Sequence, residues 1–249
     1  EDIGSGDITS IACIDEQCTG TAQLVTKQGC YIAGLDIAEK IYQFYDNQLI
    51  FEALKTDGEK LESQTTVFTI TGNQRSILAT ERLILNCMQR MSGIATKTNQ
   101  FVEKIKDLDT VILDTRKTCP NMRFLDRKAV ELGGGVNHRN GLYDAIMIKD
   151  NHIDFSGSIQ KAIQNCHKYL QKTKQKITVI IEARTINEVN QIITYGGVDR
   201  ILLDNFNIQT TKKAIKKINK KFHIESSGNI NINNVREYAM EMVEKGSLT

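Results

Sequence analysis

From residue 20 to about 72, apolar and polar positions alternate in short runs (GTAQLVT, CYIAGL, LIFEALK and TVFTIT), separated by turn signals such as Asp57-Gly58. Period-two alternation bounded by turns predicts strands. One helix interrupts them: Ile37, Ile41, Phe44 and Tyr45 fall on a single stripe, and Asp36 stands where an N-cap is expected. From Arg75 to about Lys106 the period becomes helical, with Ile77, Ile84, Met88 and Met91 on one side. The Ser92-Gly93 step is expected to divide this stretch into two helices, because glycine inside a helix costs about 1 kcal/mol. The two methionines read as core filling.

After residue 110 the pattern changes. Apolar, β-rich runs at Val111–Leu113, Ala145–Ile148, Ile177–Ile181, Ile201–Leu203 and His223–Ile224 alternate with helical patterns at 122–132, 158–171, 186–195 and 209–220. Strands alternating with helices predict parallel βα units, closed into a barrel or laid out as an open sheet. Glu182, Asp204 and Ser227 follow successive strands at about one short βα unit each, which favours the barrel. Gly133-Gly134-Gly135 reads as a helix C-terminus and a turn. It is not a dinucleotide fingerprint, since no strand precedes it.

Composition narrows the class. The chain has 249 residues, 40% of them hydrophobic and 25% charged, which are ordinary values for a globular protein and exclude disordered and fibrous classes. A net charge of +2 gives no nucleic-acid footprint. The basic run Lys212 to Lys221 alternates with Ala214, Ile215 and Ile218, as the solvated face of an amphipathic helix does. No apolar run is long enough to cross a bilayer, and the opening EDIGSGD has neither the basic start nor the apolar centre of a signal peptide. A soluble cytoplasmic protein without membrane partners is expected. Cysteines 13, 18, 30, 87, 119 and 166 form no CxxC pair and read as reduced, mostly buried thiols; zinc is poorly supported. Cys119 lies beside a basic cluster, but no base is aligned to make it a nucleophile.

That cluster carries the candidate chemistry. VILDTRKT, GGGVNHR and AIMIKDNH place Arg116, Lys117, His138, Arg139 and Lys149 at the ends of apolar runs. In a βα barrel the C-terminal strand ends share one face, so these groups describe a pocket for a substrate with several negative charges. Thr115, Glu182, Asp204 and Ser227-Gly228 also follow strands. Ser227-Gly228 suits a phosphate-binding loop, with Gly246-Ser247 as its companion. Two carboxylates among such groups suggest Mg²⁺ bridged to a polyphosphate, reached through substrate or water. The sum is a site for a phosphorylated sugar with a highly charged leaving group and a second, acidic substrate.

EDIGSGDIT, ERLILNCMQRMSGIAT, LDTRKTCP, GGGVNHRNGLYDAIMIKDNHI, LLDN and ESSGNI together resemble the quinolinate phosphoribosyltransferases, the carboxylating nicotinate-nucleotide pyrophosphorylases of NAD synthesis. The resemblance runs in order from residue 1 to roughly 240. It implies an α/β protein with an N-terminal α/β sandwich domain over 1–108 and an incomplete, open-faced TIM-like barrel domain over 109–249. It implies quinolinate and phosphoribosyl pyrophosphate as substrates, with Mg²⁺, and a homodimer or larger assembly. Arg116, His138 and Arg139 would hold the quinolinate carboxylates, joined by Arg82 of the partner subunit. Lys117 and Lys149 would contact the phosphoribosyl pyrophosphate groups, and Thr115 would bind substrate beside them. Glu182 and Asp204 would serve the Mg²⁺–pyrophosphate and the ribose hydroxyls, and Ser227, Gly228, Asn229, Gly246 and Ser247 the 5′-phosphate. Lys149, Glu182 and Asp204 are thereby the catalytic set. Asn229 stands where glycine is often found, so its backbone tests whether the phosphate loop keeps its geometry. The segment MEMVEKGSLT is short for a last strand followed by a second phosphate loop.

Other readings remain at this point. A paralogous pyrophosphorylase-like protein would act on another acceptor, although the arginines and His138 suit a dicarboxylate. Lys149 at a strand end could form a Schiff base in a lyase, and a non-catalytic protein could retain the pocket for binding.

Overall fold

In the computed structural model, which describes residues 2–242 and 246–248, the strand-rich half folds around a small antiparallel sheet. Its elements are α1 (Ile8–Cys13), β1 (Thr19–Val25), β2 (Cys30–Tyr31), α2 (Leu35–Tyr45), β3 (Ile50–Ala53), β4 (Lys60–Leu61) and β5 (Thr66–Asn73). They lead into the long helix α3 (Gln74–Ile105). The sheet has the order β1-β5-β3, and β2 pairs with β4. Residues Glu1–Asn99 and Thr118–Gly134 form this first compact unit, which also takes in α4 (Arg123–Leu132). Its core joins Val67, Phe68 and Ile70 of β5 to Leu35, Ala38 and Tyr42 of α2 and Ile77, Ile84 and Met88 of α3. Arg90 clasps Asp126 through two hydrogen bonds of 2.6 and 2.7 Å, and Lys128 pairs with Asp36.

Three sequence expectations are corrected in this unit. Asp36 is not the N-cap of α2: it lies inside the helix, and Gly34 caps it at φ 101°. The Asp57 carboxylate instead accepts the N–H groups of Gly34 and Leu35 at 2.7 and 3.0 Å, a role that one-dimensional spacing does not reveal. The buried stripe of α2 is Leu35, Ala38 and Tyr42, while Phe44 is 94% exposed. The helix over 74–105 is continuous through Ser92-Gly93. Ser92 Oγ accepts the Ala33 N–H at 3.0 Å, and Met91 and Ala95 on either side are fully buried. That packing outweighs the modest helix cost of one glycine.

The second unit, Gln100–Lys117 with Gly135–Thr249, carries the βα repeats. Its strands are β6 (Val111–Ile112), β7 (Ile146–Ile148), β8 (Val179–Ala183), β9 (Arg200–Asp204), β10 (His223–Ser227) and β11 (Gly246–Leu248). All pair in parallel in the order β6-β11-β10-β9-β8-β7. A parallel bridge from Leu113 to Val136 adds a further edge beyond β6. No ladder joins that edge to β7 among the described residues, so the barrel is open-faced. The helices are α5 (Asp150–Ser156), α6 (Ile159–Thr173), α7 (Ile186–Tyr195), α8 (Ile208–Ile218) and α9 (Val235–Glu241). Ser158, Thr185 and Asn207 cap α6, α7 and α8 with side-chain oxygens. The caps at Thr185 and Asn207 stop their loops within a few residues of β8 and β9 and leave those strand ends at the mouth.

Alternation along the strands separates two faces. Ile146 and Ile148, Val179, Ile181 and Ala183, Ile201 and Leu203, Ile224 and Leu248 pack into the apolar layer shared with the helices. Burial of each such side chain contributes roughly 1.5–3 kcal/mol. The intervening residues therefore face the barrel lumen. Gly246 and Ser247 lie in β11 itself, which corrects their assignment to a loop: β11 is the last strand, paired with both β10 and β6. The thiols are also more exposed than expected: Cys13 and Cys119 are exposed, Cys18, Cys30 and Cys166 half-buried, and Cys87 alone buried. No helix among the described residues is long and apolar enough to cross a membrane.

Candidate active site

The lumen face of the second unit gathers most of the candidate residues. Lys149 follows β7, Glu182 lies near the end of β8, and Asp204 and Ser227 close β9 and β10. Lys149 Nζ donates to Glu182 Oε2 at 2.9 Å; the lysine side chain is 45% exposed and the carboxylate 12%. The Lys149 backbone N–H donates to His152 Nδ1 at 2.9 Å, which ties the lysine to the first turn of α5. Asp204 accepts from the Asn205 side chain at 2.8 Å. These are carboxylate oxygens and one half-exposed cation at the open end of the strands.

The loop after β10 keeps a left-handed backbone. Gly228 has φ 89° and Asn229 φ 59°, a region that asparagine tolerates better than most residues. Asn229 Nδ2 donates to Asn205 Oδ1 at 3.2 Å, and the Asn205 N–H donates to the Ser227 carbonyl at 2.8 Å. A Cβ at Gly228 would overlap the Asn205 side chain. The asparagine thus takes the conformation that glycine would supply.

A second cluster lies deeper. The Asp114 carboxylate, buried at the end of the first strand, accepts the His138 N–H at 2.8 Å. His138 Nδ1 accepts the Arg139 N–H at 2.6 Å, so the neutral ring carries its proton on Nε2, which donates to Glu225 Oε2 at 3.0 Å. Both ring nitrogens are engaged within the chain. Glu225 is 1% exposed and also accepts from Arg200 Nη1 at 3.1 Å. Burial pushes its carboxyl up, but the hydrogen bond from His138 and the hydrogen bond and charge of Arg200 outweigh this and hold it below the usual glutamate value. Arg139 donates to the Ala145 carbonyl at 3.4 Å. Burial and then the charge of Arg116 pull its guanidinium below the ordinary value, against opposing pulls from Asp144 and Glu225. Arg116 Nε is buried without a hydrogen-bond partner among the described residues.

His138, Arg139 and Arg200 of this cluster line a lumen cavity of about 420 Å³. It reaches from His138, Arg139 and Asn137 past Ile180 and Ser247 to Arg200, His223 and Thr178 at the strand beginnings. Thr115 and Lys117 are exposed just beyond β6, and the Lys117 N–H donates to Thr115 Oγ1 at 3.1 Å. Arg82 lies on the exposed face of α3 in the first unit. Glu225, Arg200 and Asp114 were not singled out by sequence. The available signal was a period-two one: His223, Glu225 and Ser227 alternate with Ile224 and Ser226, which puts an acid on the lumen side of a buried strand.

Comparison with known proteins extends this geometry to the whole chain. Residues 7–92 match the family model of the quinolinate phosphoribosyl transferase N-terminal domain, and residues 94–249 that of the C-terminal domain. A quinolinate phosphoribosyltransferase [decarboxylating] of Nicotiana tabacum is 37% identical over 267 residues, covering 100% of this chain and 76% of its own. A probable nicotinate-nucleotide pyrophosphorylase [carboxylating] of Synechocystis sp. is 40% identical over 98% of this chain and 82% of its own. The solved nicotinate-nucleotide pyrophosphorylase of Francisella tularensis superposes with a TM-score of 0.91 at 37% identity, over 99% of this chain and 86% of that one. With both domain models matched in order along nearly its full length, the chain belongs to the quinolinate phosphoribosyltransferase family.

Proposed function

We propose that this protein transfers the phosphoribosyl group of phosphoribosyl pyrophosphate to quinolinate and removes one carboxylate, giving nicotinate mononucleotide, CO₂ and pyrophosphate. The observation that carries the reading is the lumen face itself. In a chain matched by both domain models, cations lie deep and near the mouth, with Lys149, Glu182, Asp204 and Ser227 at the strand ends.

On this reading Arg116 and Arg139 pair with the two quinolinate carboxylates. After burial, the Arg116 charge is what pulls the Arg139 guanidinium below its ordinary value, and two half-buried cations so placed favour an anion between them; the planar fork matches a carboxylate bidentately. Arg82 of the partner subunit completes the set in a cytoplasmic homodimer, a compartment that accords with six free thiols. The quinolinate nitrogen attacks the anomeric carbon while the bond to pyrophosphate breaks. Lys117 and Lys149 stabilise the charge that grows on the departing pyrophosphate. Lys149 exchanges its contact with Glu182 for substrate oxygens, and Glu182 and Asp204 receive the ribose hydroxyls. Ser227, Gly228 and Asn229 hold the 5′-phosphate, with Gly246 and Ser247 supporting the loop from β11. The pyridinium formed then stabilises the electron pair left on the adjacent ring carbon by the departing CO₂, and a proton taken up at that carbon completes nicotinate mononucleotide. The chain's work is chiefly to hold two anions together in reactive geometry.

The donor set at the mouth also suits Mg²⁺: two carboxylates on adjacent strands offer hard oxygen ligands beside a polyphosphate. Mg²⁺ bound there would neutralise pyrophosphate charge and act as a Lewis acid. The lyase alternative finds no support, because a Schiff-base lysine is activated by apolar or cationic surroundings, whereas Lys149 contacts a carboxylate at 2.9 Å.

The test is to mix the purified protein with quinolinate, phosphoribosyl pyrophosphate and Mg²⁺ and follow nicotinate mononucleotide. Product is expected with quinolinate and far less with nicotinate; no product, or equal activity on nicotinate, rejects the reading. For the shared site, mixed Arg82→Ala and Arg116→Ala subunits should regain part of the activity that each lacks alone, and no recovery rejects sharing.

A further inference from the structure

We propose that Glu225 is a positioning residue for quinolinate recognition: it fixes the Nε2–H form of His138, and through His138 it fixes the turn that presents Arg139. The inference rests on the functional reading above and adds to it a residue that does not touch substrate.

Four hydrogen bonds link Glu225 to Arg139. Arg200 Nη1 and His138 Nε2 both meet Glu225 Oε2, at 3.1 and 3.0 Å. The Arg139 N–H then donates to His138 Nδ1 at 2.6 Å, and Asp114 accepts the His138 N–H at 2.8 Å. The turn that carries Arg139 is therefore held by two carboxylates from two different strands. A nitrogen that accepts a backbone N–H carries no proton, so the ring donates from Nε2, and a buried carboxylate is the acceptor that favours this form. Glu225 is 1% exposed and lies on β10 between His223, which lines the cavity, and Ser227 at the strand end. His138 is 7% exposed. With both nitrogens engaged, the ring acts on substrate as a strut for its neighbour.

A carboxylate retained in a barrel lumen without such a role is replaceable at little or no loss, since buried ion pairs often contribute nothing net relative to apolar packing. The proposal expects the opposite, and expects selectivity. Loss of the strut displaces Arg139 but leaves the Lys149–Glu182 contact and the Ser227–Asn229 loop in place.

The experiment has two arms. Nitrogen-15 spectra of the histidine-labelled full chain read the His138 tautomer in the wild-type protein; with four histidines in the sequence, His138→Gln assigns the signal. An unprotonated Nδ1 and a protonated Nε2 are expected, and a ring protonated on Nδ1 overturns the proposal. Steady-state kinetics then compare Glu225→Gln with wild type. The KM for quinolinate should rise ~10-fold, the scale seen when an outer-shell partner of a metal-bound histidine is removed. The KM for phosphoribosyl pyrophosphate should stay within about twofold, since its contacts are untouched. Lower turnover with both KM values unchanged would mean only a smaller folded fraction and would overturn it. If Glu225→Gln does not fold, Glu225→Asp keeps the charge one methylene back and reads the same split. The tautomer needs no turnover, so a protein inactive on quinolinate would reject the functional reading while the spectra still judge the strut.

Discussion

Glu182 and Glu225 face the same lumen from β8 and β10, yet their surroundings differ in kind. Glu182 meets one half-exposed lysine near the mouth. Glu225 is 1% exposed and meets a histidine and an arginine at once. A pair whose lysine is half open to water is close to the surface pairs that contribute about 0–1 kcal/mol, so exchanging that lysine contact for a substrate contact costs little. A buried carboxylate with two partners cannot exchange cheaply, because loss of one partner from a buried pair costs about 3–5 kcal/mol. The same residue type is thus a replaceable contact at the mouth and a fixed support in the lumen.

The sharpest way to break this comparison is Lys149→Ala. Removal of a preorganised group that stabilises developing charge lowers turnover by about 10²–10³-fold. Because the lysine is half-exposed, stability should move by no more than about 0.5 kcal/mol. Turnover measured beside chemical denaturation checks both at once. If stability falls in step with activity, the mouth pair is structural and the contrast with Glu225 fails.

Gly228→Ala is expected to act next most strongly. Its φ of 89° forbids a Cβ at low cost, and the new atom would overlap the Asn205 side chain. The left-handed conformation alone costs roughly 1–2 kcal/mol for a residue with a Cβ. The denaturation midpoint should drop, and the KM for phosphoribosyl pyrophosphate should rise while that for quinolinate holds. An equal rise in both would show that the loop and the lumen are not separate in function.

How much of this was legible in the sequence differs between the same two regions. The βα repeats were legible because each strand is an apolar run closed by a polar residue, and the helices start at Ser158, Thr185 and Asn207, strong caps. Lys149, Glu182, Asp204 and Ser227 were legible for the same reason, as the first polar groups after those runs. The Glu225 network was not, since Arg200 and His138, which meet Glu225, and Asp114, which holds the His138 N–H, come from three other segments, and only closure of the strands brings them together. The true cap of α2 was hidden likewise: Asp57 is 22 residues from the Leu35 N–H that it accepts. Continuity of α3 through Gly93 was a question of packing around Met91 and Ala95, which periodicity does not weigh.

The gentlest test concerns acid. The folded Glu225 carboxyl sits below the ordinary value of 4.5, despite burial that alone would raise it, because His138 and Arg200 favour its charged form. The unfolded chain therefore takes up the proton first as pH falls. The stability that this carboxylate contributes is fully present above the unfolded value and disappears as pH drops through the folded one. Glutamine at 225 has no such proton to gain. Unfolding free energies of wild type and Glu225→Gln should consequently differ by a constant margin from neutral pH down to about 4.5, then converge in more acid solution. Urea titrations at a series of pH values give the two curves. A margin that instead widens from neutral pH towards about 4.5 and then holds would mean that Glu225 is protonated already in the folded lumen. Its contact with His138 would then be a neutral hydrogen bond, and the distinction between an exchangeable mouth pair and a charged lumen support would not hold.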